Sequence, residues 1–323
     1  MKPSICEKPK VSIVIPTKNS SRMIEKCLHS LLNQSYSNYE LIIVDGHSVD
    51  DTLKIVSGFP VRIFFEEGGT RASACNVGIL NSRGEIVAFT DDDCIVPEDW
   101  VEKIVKHFED HEVCVVGGPA LIPNDSGPWE NTFGAIRTLV LKVAHKLGPV
   151  EDIFGCNSAY RKSVVLEVGG FREDLLTTEE TELHFRIMKS GGTLIYDPDM
   201  PVYHYPRVNL KKFLKQQYRY GLGKGLMLRL HPRALKISDV VAMASIFVPL
   251  ALVPIFYFSF AFGLALFEVL LSIFFGITLI LSLYASINEK RIKYSPLIFL
   301  VLIFYVYAEG LGHTVGLLKL RRF

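Results

Sequence analysis

Three adjacent carboxylates, Asp91-Asp92-Asp93, follow the apolar run Ala88-Phe89-Thr90. Like charges this close repel, and without a cation one of them has to take up a proton. A bound divalent ion removes the conflict. Mg²⁺ characteristically takes one or two protein carboxylates and completes its shell with phosphate oxygens, and such an ion stabilises a leaving anion. In strand geometry Asp91 and Asp93 point the same way.

The elements that must position this cluster alternate in type. Val11 to Ile15 reads as a buried strand stopped by Pro16. Met23, Ile24, Cys27, Leu28, Leu31 and Leu32 repeat at helical spacing. Leu41 to Val44 is a second strand ending on Asp45, Asp50 to Val56 a short helix, Val61 to Phe65 a third strand, and Ala72 to Ile79 a helix closed by Gly84. Glu85 to Thr90 is the strand that delivers Asp91. A helix over Pro97 to His107 and a strand over Val113 to Val116 follow. This alternation predicts an α/β fold, a mostly parallel sheet with helices on both faces. Such sheets bind ligands beyond the carboxyl ends of their strands, where Thr17, Asn19, Asp45 and the Asp triplet stand. After residue 118 the rhythm fades. Gly127 to Leu147 is an excursion with one helix, Val164 to Phe171 holds a short helix, Glu179 to Met188 a longer one, and Thr193 to Tyr196 and Val202 to Tyr205 are strands.

Composition narrows the classes. The net charge of the 323 residues is only +1, a total that says nothing about partners; no nucleic-acid partner is expected. No GxGxxG follows the first strand and no GxxxxGK[ST] is present, which weakens a dinucleotide fold and excludes a P-loop. The six cysteines show no metal-like spacing and read as reduced and buried. The mean hydropathy of +0.26 hides an asymmetry. From Val240 to Ile287 the only side chain charged at neutral pH is Glu268, and a second apolar run covers Ser295 to Leu318. Both exceed the roughly 20 residues that cross a bilayer. Between Tyr205 and Ser238 there are nine Lys or Arg and no acid, and Leu210, Phe213, Leu214, Tyr218 and Leu222 are spaced for one helical face, the pattern of a basic helix on anionic lipid.

VSIVIPTKN, LIIVDGHSVDDT and RASACNVGI followed by GEIVAFTDDD resemble the N-terminal half of family 2 glycosyltransferases, which have the Rossmann-like GT-A fold. FGCNSAYRKSVVLEVGGF, EETELHFRIMKSGG and VYHYPR continue the likeness, and QQYRYGLGKG, HPR and YAEGLGHTVGLL extend it through the tail towards succinoglycan-type membrane enzymes (the ExoA-like subgroup). The resemblance implies a nucleotide-diphosphate sugar as donor, with a UDP-sugar as first expectation, a divalent metal (Mg²⁺ or Mn²⁺) as cofactor, and inversion at the anomeric carbon. By the same resemblance Pro16, Thr17 and Asn19 line the nucleoside pocket, Asp45 accepts a hydrogen bond from the base, and Arg71 reaches the diphosphate. Asp91 and Asp93 form the DxD pair on ribose and metal, with Asp92 beside them, and His204 is a further metal ligand. Gly46 stands where the family usually has a second Asp. The family's Glu-Asp at the helix that carries the general base is here Glu179-Glu180, so either acid is a candidate. Asn157 and Arg161 fall on the acceptor side. Gln216, Arg219 and Tyr220 match a QxxRW motif with Tyr for Trp and are expected to hold diphosphate or acceptor.

The expected organisation is a cytosolic catalytic domain over residues 1–205, a basic interfacial segment over 206–238 and a membrane domain over 239–323, with a hairpin at about 240–287 that turns near Ser259 to Gly263 and a third apolar helix at about 295–318. The N-terminal MKPSICEKPK has no apolar core of a secretory signal. The protein is therefore expected in the cell membrane, multi-pass, acting on a lipid-linked acceptor beside membrane lipids. Two other readings stay open: a polyprenyl-phosphate monosaccharide synthase of the dolichol-phosphate-mannose type, which would need less of a base, and a non-catalytic nucleotide-sugar-binding subunit. A transporter is disfavoured by a short tail expected to bury almost no polar groups.

Overall fold

A computed structural model of the chain describes residues 11–123, 126–147, 153–205, 209–235, 239–240, 243–244, 260–288 and 292–318. The chain divides into two compact units, residues 1–123 with 150–206, and residues 124–149 with 207–323.

The first unit is built on a seven-stranded sheet. In chain order its strands are β1 (Val11–Thr17), β2 (Tyr39–Asp45), β3 (Arg62–Phe65), β4 (Ile86–Phe89), β6 (Val113–Gly117), β8 (Ser158–Arg161) and β9 (Thr193–Tyr196). They lie in the spatial order β3-β2-β1-β4-β8-β6-β9. β1 to β4 run parallel, β8 is antiparallel to β4 and β6, and β9 is parallel to β6. A three-stranded sheet of β5 (Cys94–Ile95), β10 (Val202–His204) and β7 (Ala120–Leu121) stands beside it. β1 is central and buried on both faces, so up to Pro16 it is apolar but for Ser12 and does not alternate. Pro16 does not stop β1, which runs on to Thr17. Pairing with β4 ends at Val14, so the missing N–H of Pro16 costs no ladder bond on that side.

Helices cover both faces. α1 (Ile24–Leu32) and α4 (Trp100–His107) bury Ile24, Cys27, Leu28, Leu31, Trp100, Val101 and Ile104 on one face. α3 (Arg71–Asn81), α6 (Lys162–Glu167) and α7 (Glu179–Lys189) bury Cys75, Ile79, Val165, Leu183 and Ile187 on the other. The short α2 (Thr52–Val56) links β2 to β3. α3 lies close over β1: a Cβ on Gly78 would stand 2.3 Å from Val14 Cγ1. The helix therefore carries its first residue, Arg71, to the carboxyl end of the sheet.

The second unit contains α5 (Pro128–Leu147), α8 (Leu210–Leu230), α9 (Phe260–Asn288) and α10 (Ser295–Leu318). α5 belongs here and not with the first 205 residues, because its apolar face packs with Phe213, Ala285, Ile298, Val301 and Leu302; the Phe133 and Phe213 rings stack at 3.9 Å. Of the hairpin expected over 240–287, residues 245–259 lie outside the described residues, and the second half is α9. Leu266–Ile287 and Ile292–Leu318 are long and apolar enough to cross a membrane. α9 leaves large apolar side chains such as Val269, Ile273 and Ile280 exposed, as a lipid-facing helix does.

α10 departs from that pattern. It buries Glu309, Gly310, Gly312, His313 and Gly316, three residue types that face lipid poorly. Their partner is α8. A Cβ on Gly221 would stand 2.0 Å from Glu309 O, one on Gly225 2.3 Å from His313 O, one on Gly312 2.1 Å from Tyr218 O and one on Gly316 2.3 Å from Leu222 O. Glycines four apart on both helices thus bring the backbones into contact, and Lys224 Nζ meets Glu309 Oε1 at 2.6 Å. The basic segment is a helix packed on protein along its glycine face. The expectation of almost no buried polar groups in the tail is also corrected, since Glu309, His313, Thr278, Ser282 and Ser286 are all buried. Gly312→Leu is expected to force the two helices apart and cost about 1–3 kcal/mol, read as a lower thermal midpoint in detergent. Gly276→Ala on α9, where an added Cβ meets nothing within 4 Å, should leave the midpoint unchanged or slightly raised.

Candidate functional site

The carboxyl ends of β1, β2 and β4 deliver Thr17, Asp45 and the Asp triplet side by side. β1 pairs with β2 up to Thr17 opposite Asp45, and the backbone N–H of Gly46 donates to Thr17 O at 2.8 Å. Asp45 is buried and accepts from the backbone N–H of Ser48 at 2.7 Å and its hydroxyl at 2.6 Å. Ser48 Oγ in turn accepts from the Asn19 N–H at 2.8 Å, and Asn19 Oδ1 accepts from the Val49 N–H at 2.9 Å. The two loops beyond β1 and β2 are therefore one hydrogen-bonded unit.

The Asp triplet is not an extension of β4. The strand ends at Phe89, and the Cys94 N–H closes a turn on Asp91 O at 3.1 Å. The same-side argument for Asp91 and Asp93 fails for that reason, and the three carboxylates take three different partners. Asp91 Oδ1 accepts from Arg71 Nη2 at 3.1 Å and Nε at 3.3 Å. Asp92 Oδ2 accepts from the Lys18 N–H at 3.3 Å. Asp93 Oδ1 lies 3.1 Å from His204 Nε2. Burial, reinforced by Asp93 and Asp91, pushes the Asp92 carboxyl up to about 7.

His204 reaches Asp93 because β10 pairs antiparallel with β5, setting His204 opposite Cys94, while the Tyr205 N–H donates to Asp93 O at 2.9 Å. Donor atoms of Asp93, Cys94 and His204 lie within 4.8 Å of one another. Burial pushes the Cys94 thiol well up, which keeps it a neutral, weak donor. Asp93 and His204 are then the donors suited to a hard divalent ion.

Arg71 opens α3, whose N-cap Thr70 accepts from the Ser73 N–H at 3.0 Å. Besides Asp91, its guanidinium reaches Glu180 Oε1 at 2.5 Å and Glu179 Oε1 at 3.5 Å. Both acids open α7. Burial, then repulsion from Glu179, pushes Glu180 up to about 8 against the opposing pull of Arg71. Gly155 makes the approach possible: a Cβ there would stand 1.8 Å from Glu180 Oε1 and 2.8 Å from Arg71 Nη1. Neither Gly155 nor Cys94 is visible as a site residue in the sequence, because each matters only through a neighbour far along the chain.

Two expected acceptor residues are placed otherwise. Asn157 is fully buried and spends its amide internally, accepting from Trp100 Nε1 at 2.8 Å and donating to Met200 O at 2.8 Å and Pro119 O at 3.1 Å. Arg161 sits opposite Ile86, at the start of β4 and away from Asp91, and donates to the carbonyls of Val113, Phe108 and Asp110. Gln216, Arg219 and Tyr220 lie on α8 in the second unit, where Gln216 Nε2 donates to Tyr220 Oη at 2.9 Å.

The described residues other than glycine with positive φ are Asn19 (52°), His47 (59°) and Thr178 (65°), and all three border this site. Asn and His tolerate the left-handed region, whereas a β-branched Thr is strained there. Thr178 immediately precedes Glu179, so the strain is spent on the entry to α7. Thr178→Asn is expected to raise stability by about 1 kcal/mol, measured as a higher thermal midpoint of the full chain.

The profile of "Glycosyl transferase family 2" matches residues 12–169. The chain is 31% identical to "Glycosyltransferase AglE" of Haloferax volcanii over 67% of this chain and 73% of that protein. It is 28% identical, over 68% of this chain and 74% of the other, to a "Dolichyl N-acetyl-alpha-D-glucosaminyl phosphate 3-beta-D-2,3-diacetamido-2,3-dideoxy-beta-D-glucuronosyltransferase" of Methanococcus voltae. In fold it resembles the mannosyltransferase PcManGT of Pyrobaculum calidifontis, solved with GDP-Man and Mn²⁺, with a TM-score of 0.66 at 18% identity over 96% of this chain and 88% of that one. With a doubly wound sheet that gathers its carboxylates at the strand ends, and a relative of this identity and coverage, the chain belongs to glycosyl transferase family 2.

Proposed function

We propose that the protein is an inverting, divalent-metal-dependent glycosyltransferase that moves a sugar from a nucleotide diphosphate to a hydroxyl of a lipid-linked acceptor, with its catalytic unit on the cytosolic side of the membrane. The observation that carries this reading is Arg71, whose guanidinium touches Asp91 on one side and Glu180 on the other. One side chain thereby ties the acids of the donor side to the candidate base. The M. voltae relative is named for a dolichyl-phosphate-linked substrate, and α9 and α10 are apolar enough to anchor this chain where such lipids reside.

In this reading Pro16, Thr17, Asn19 and Asp45 receive the nucleoside. Asp93 and His204, with Asp91 and Asp92 adjacent, would hold Mg²⁺ or Mn²⁺, which supplies Lewis-acid stabilisation of the leaving diphosphate. Ionised Glu180 takes the proton of the acceptor hydroxyl. The oxygen then attacks the anomeric carbon opposite the diphosphate, the sugar–phosphate bond breaks, and the electron pair leaves on the nucleotide. One displacement inverts the anomeric centre. Arg71 holds the carboxylate of Glu180 in place, and Gly155 leaves room for it.

A base works in its deprotonated form. With Glu180 at about 8, kcat is expected to rise tenfold per pH unit below about 8 and level off above it. Glu179→Gln, which removes the like charge, should move that limb to lower pH. Glu180→Gln should abolish the limb and lower kcat by about 10²–10⁴-fold while donor affinity stays. Full activity of Glu180→Gln would favour a phosphate acceptor instead. The whole reading is tested with the full chain in detergent, Mn²⁺ and a panel of nucleotide sugars, following nucleotide affinity and slow donor hydrolysis. It fails if no nucleotide sugar is bound or hydrolysed and Asp93→Ala leaves nucleotide affinity unchanged.

A further inference from the structure

The loop beyond β3 carries a carboxylate that the mechanism leaves unused. Glu66 directly follows β3, and its N–H donates to Asp45 O at 3.2 Å, so it stands next to Asp45 at the carboxyl ends of the strands. The residue is only 5 % exposed. Its Oε2 accepts from the Gly69 N–H at 2.7 Å and closes the turn that leads to α3. Its Oε1 takes no hydrogen bond from the described residues. That oxygen hangs over Gly46, 3.3 Å from where a Cβ would be, with Lys18 Cδ 3.4 Å from the same point. A longer side chain at position 46 would fill this space. Asp45, by contrast, already serves Ser48 with both of its oxygens.

A mostly buried carboxylate with one oxygen tied down and the other open is a positioned hydrogen-bond acceptor. It selects a partner that presents an N–H. We propose that Glu66 reads the edge of the donor's nucleobase and favours bases with a protonated ring nitrogen there (uracil, thymine or guanine) over those with a bare one (cytosine or adenine). The inference rests on the nucleotide-sugar reading above and adds to it the group that sets base choice. Glu66 touches no reacting atom, so it governs donor affinity and not the chemical step.

Glu66→Gln separates this role from a structural one. The amide oxygen of Gln can still accept from the Gly69 N–H and keep the turn. Its NH₂ then occupies the open position and turns an acceptor into a donor. Binding of UDP, GDP, CDP and ADP to the full chain with Mn²⁺ is measured by titration calorimetry. The wild type is expected to prefer UDP or GDP over CDP and ADP by tenfold or more. Glu66→Gln should weaken the preferred nucleotide by about 10–100-fold, tighten CDP or ADP relative to it, and raise donor KM with kcat nearly unchanged. Glu67→Gln, at the exposed neighbour that pairs with His47, should change none of these. If the wild type binds none of the four nucleotides, the glycosyltransferase reading itself fails. If the wild type binds and discriminates but Glu66→Gln leaves the ranking intact, or lowers affinity for all four equally, the inference about Glu66 is overturned and its role is the turn alone.

Discussion

Five carboxylates meet near the carboxyl end of β4, and the arrangement depends on one guanidinium among them. Asp91, Asp92 and Asp93 follow the strand, and Glu179 and Glu180 enter from α7. Arg71 contacts three of the five. Like charges in a poorly solvated space cannot all stay ionised, and the fold relieves the conflict by separate means. Asp91 is paired with Arg71. Asp93 is given His204. Asp92 and Glu180 are pushed up towards neutrality by burial and by their neighbours. The result is a set of acids with different proton affinities at one place, the condition under which one carboxylate can bind a cation while another exchanges a proton.

Much of the surrounding architecture serves to hold that guanidinium still. α3 starts with a Thr70 cap, so Arg71 leaves the helix at its first turn. Gly78 lets the helix settle onto β1. The Glu66–Gly69 turn precedes it, and Gly155 keeps the space beside its Nη1 clear of any Cβ. The left-handed backbone at Asn19, His47 and Thr178 is concentrated in the same loops. Strain persists where surrounding contacts over-determine it, and here those contacts are the Ser48 network and the packing of α7 through Leu183 and Ile187.

The second unit solves a different problem with the same economy. α8 and α10 associate through close backbone packing and a polar contact, a combination that does not depend on apolar burial. Glycines on α8 and α10 supply the first, and Lys224 with Glu309 supplies the second. α9 presents large apolar side chains such as Val269, Ile273 and Ile280 outward, while Ser282 Oγ donates to Ser295 O at 2.7 Å and ties it to α10.

The sequence by itself determined the βα alternation of the first half, the position of the Asp triplet beyond a buried strand, the acids at the head of α7 and the apolar character of the tail. These are local properties: periodicity, composition and residue order along a few turns of chain. It was misleading where locality ends. β8 runs antiparallel between two strands distant in sequence, β5 and β7 are two residues long, and none of these has a period to read. Asn157 and Arg161 look like ligands in a motif, yet their polar atoms are taken up by carbonyls and an indole that only the folded chain brings near. The tertiary structure alone decided which partner each carboxylate faces. Arg71 and Glu180 are 109 residues apart, and their contact exists because the N-terminal ends of α3 and α7 converge beside Gly155. An ion pair depends on distance and burial, and neither is encoded in the identity of the residues that form it.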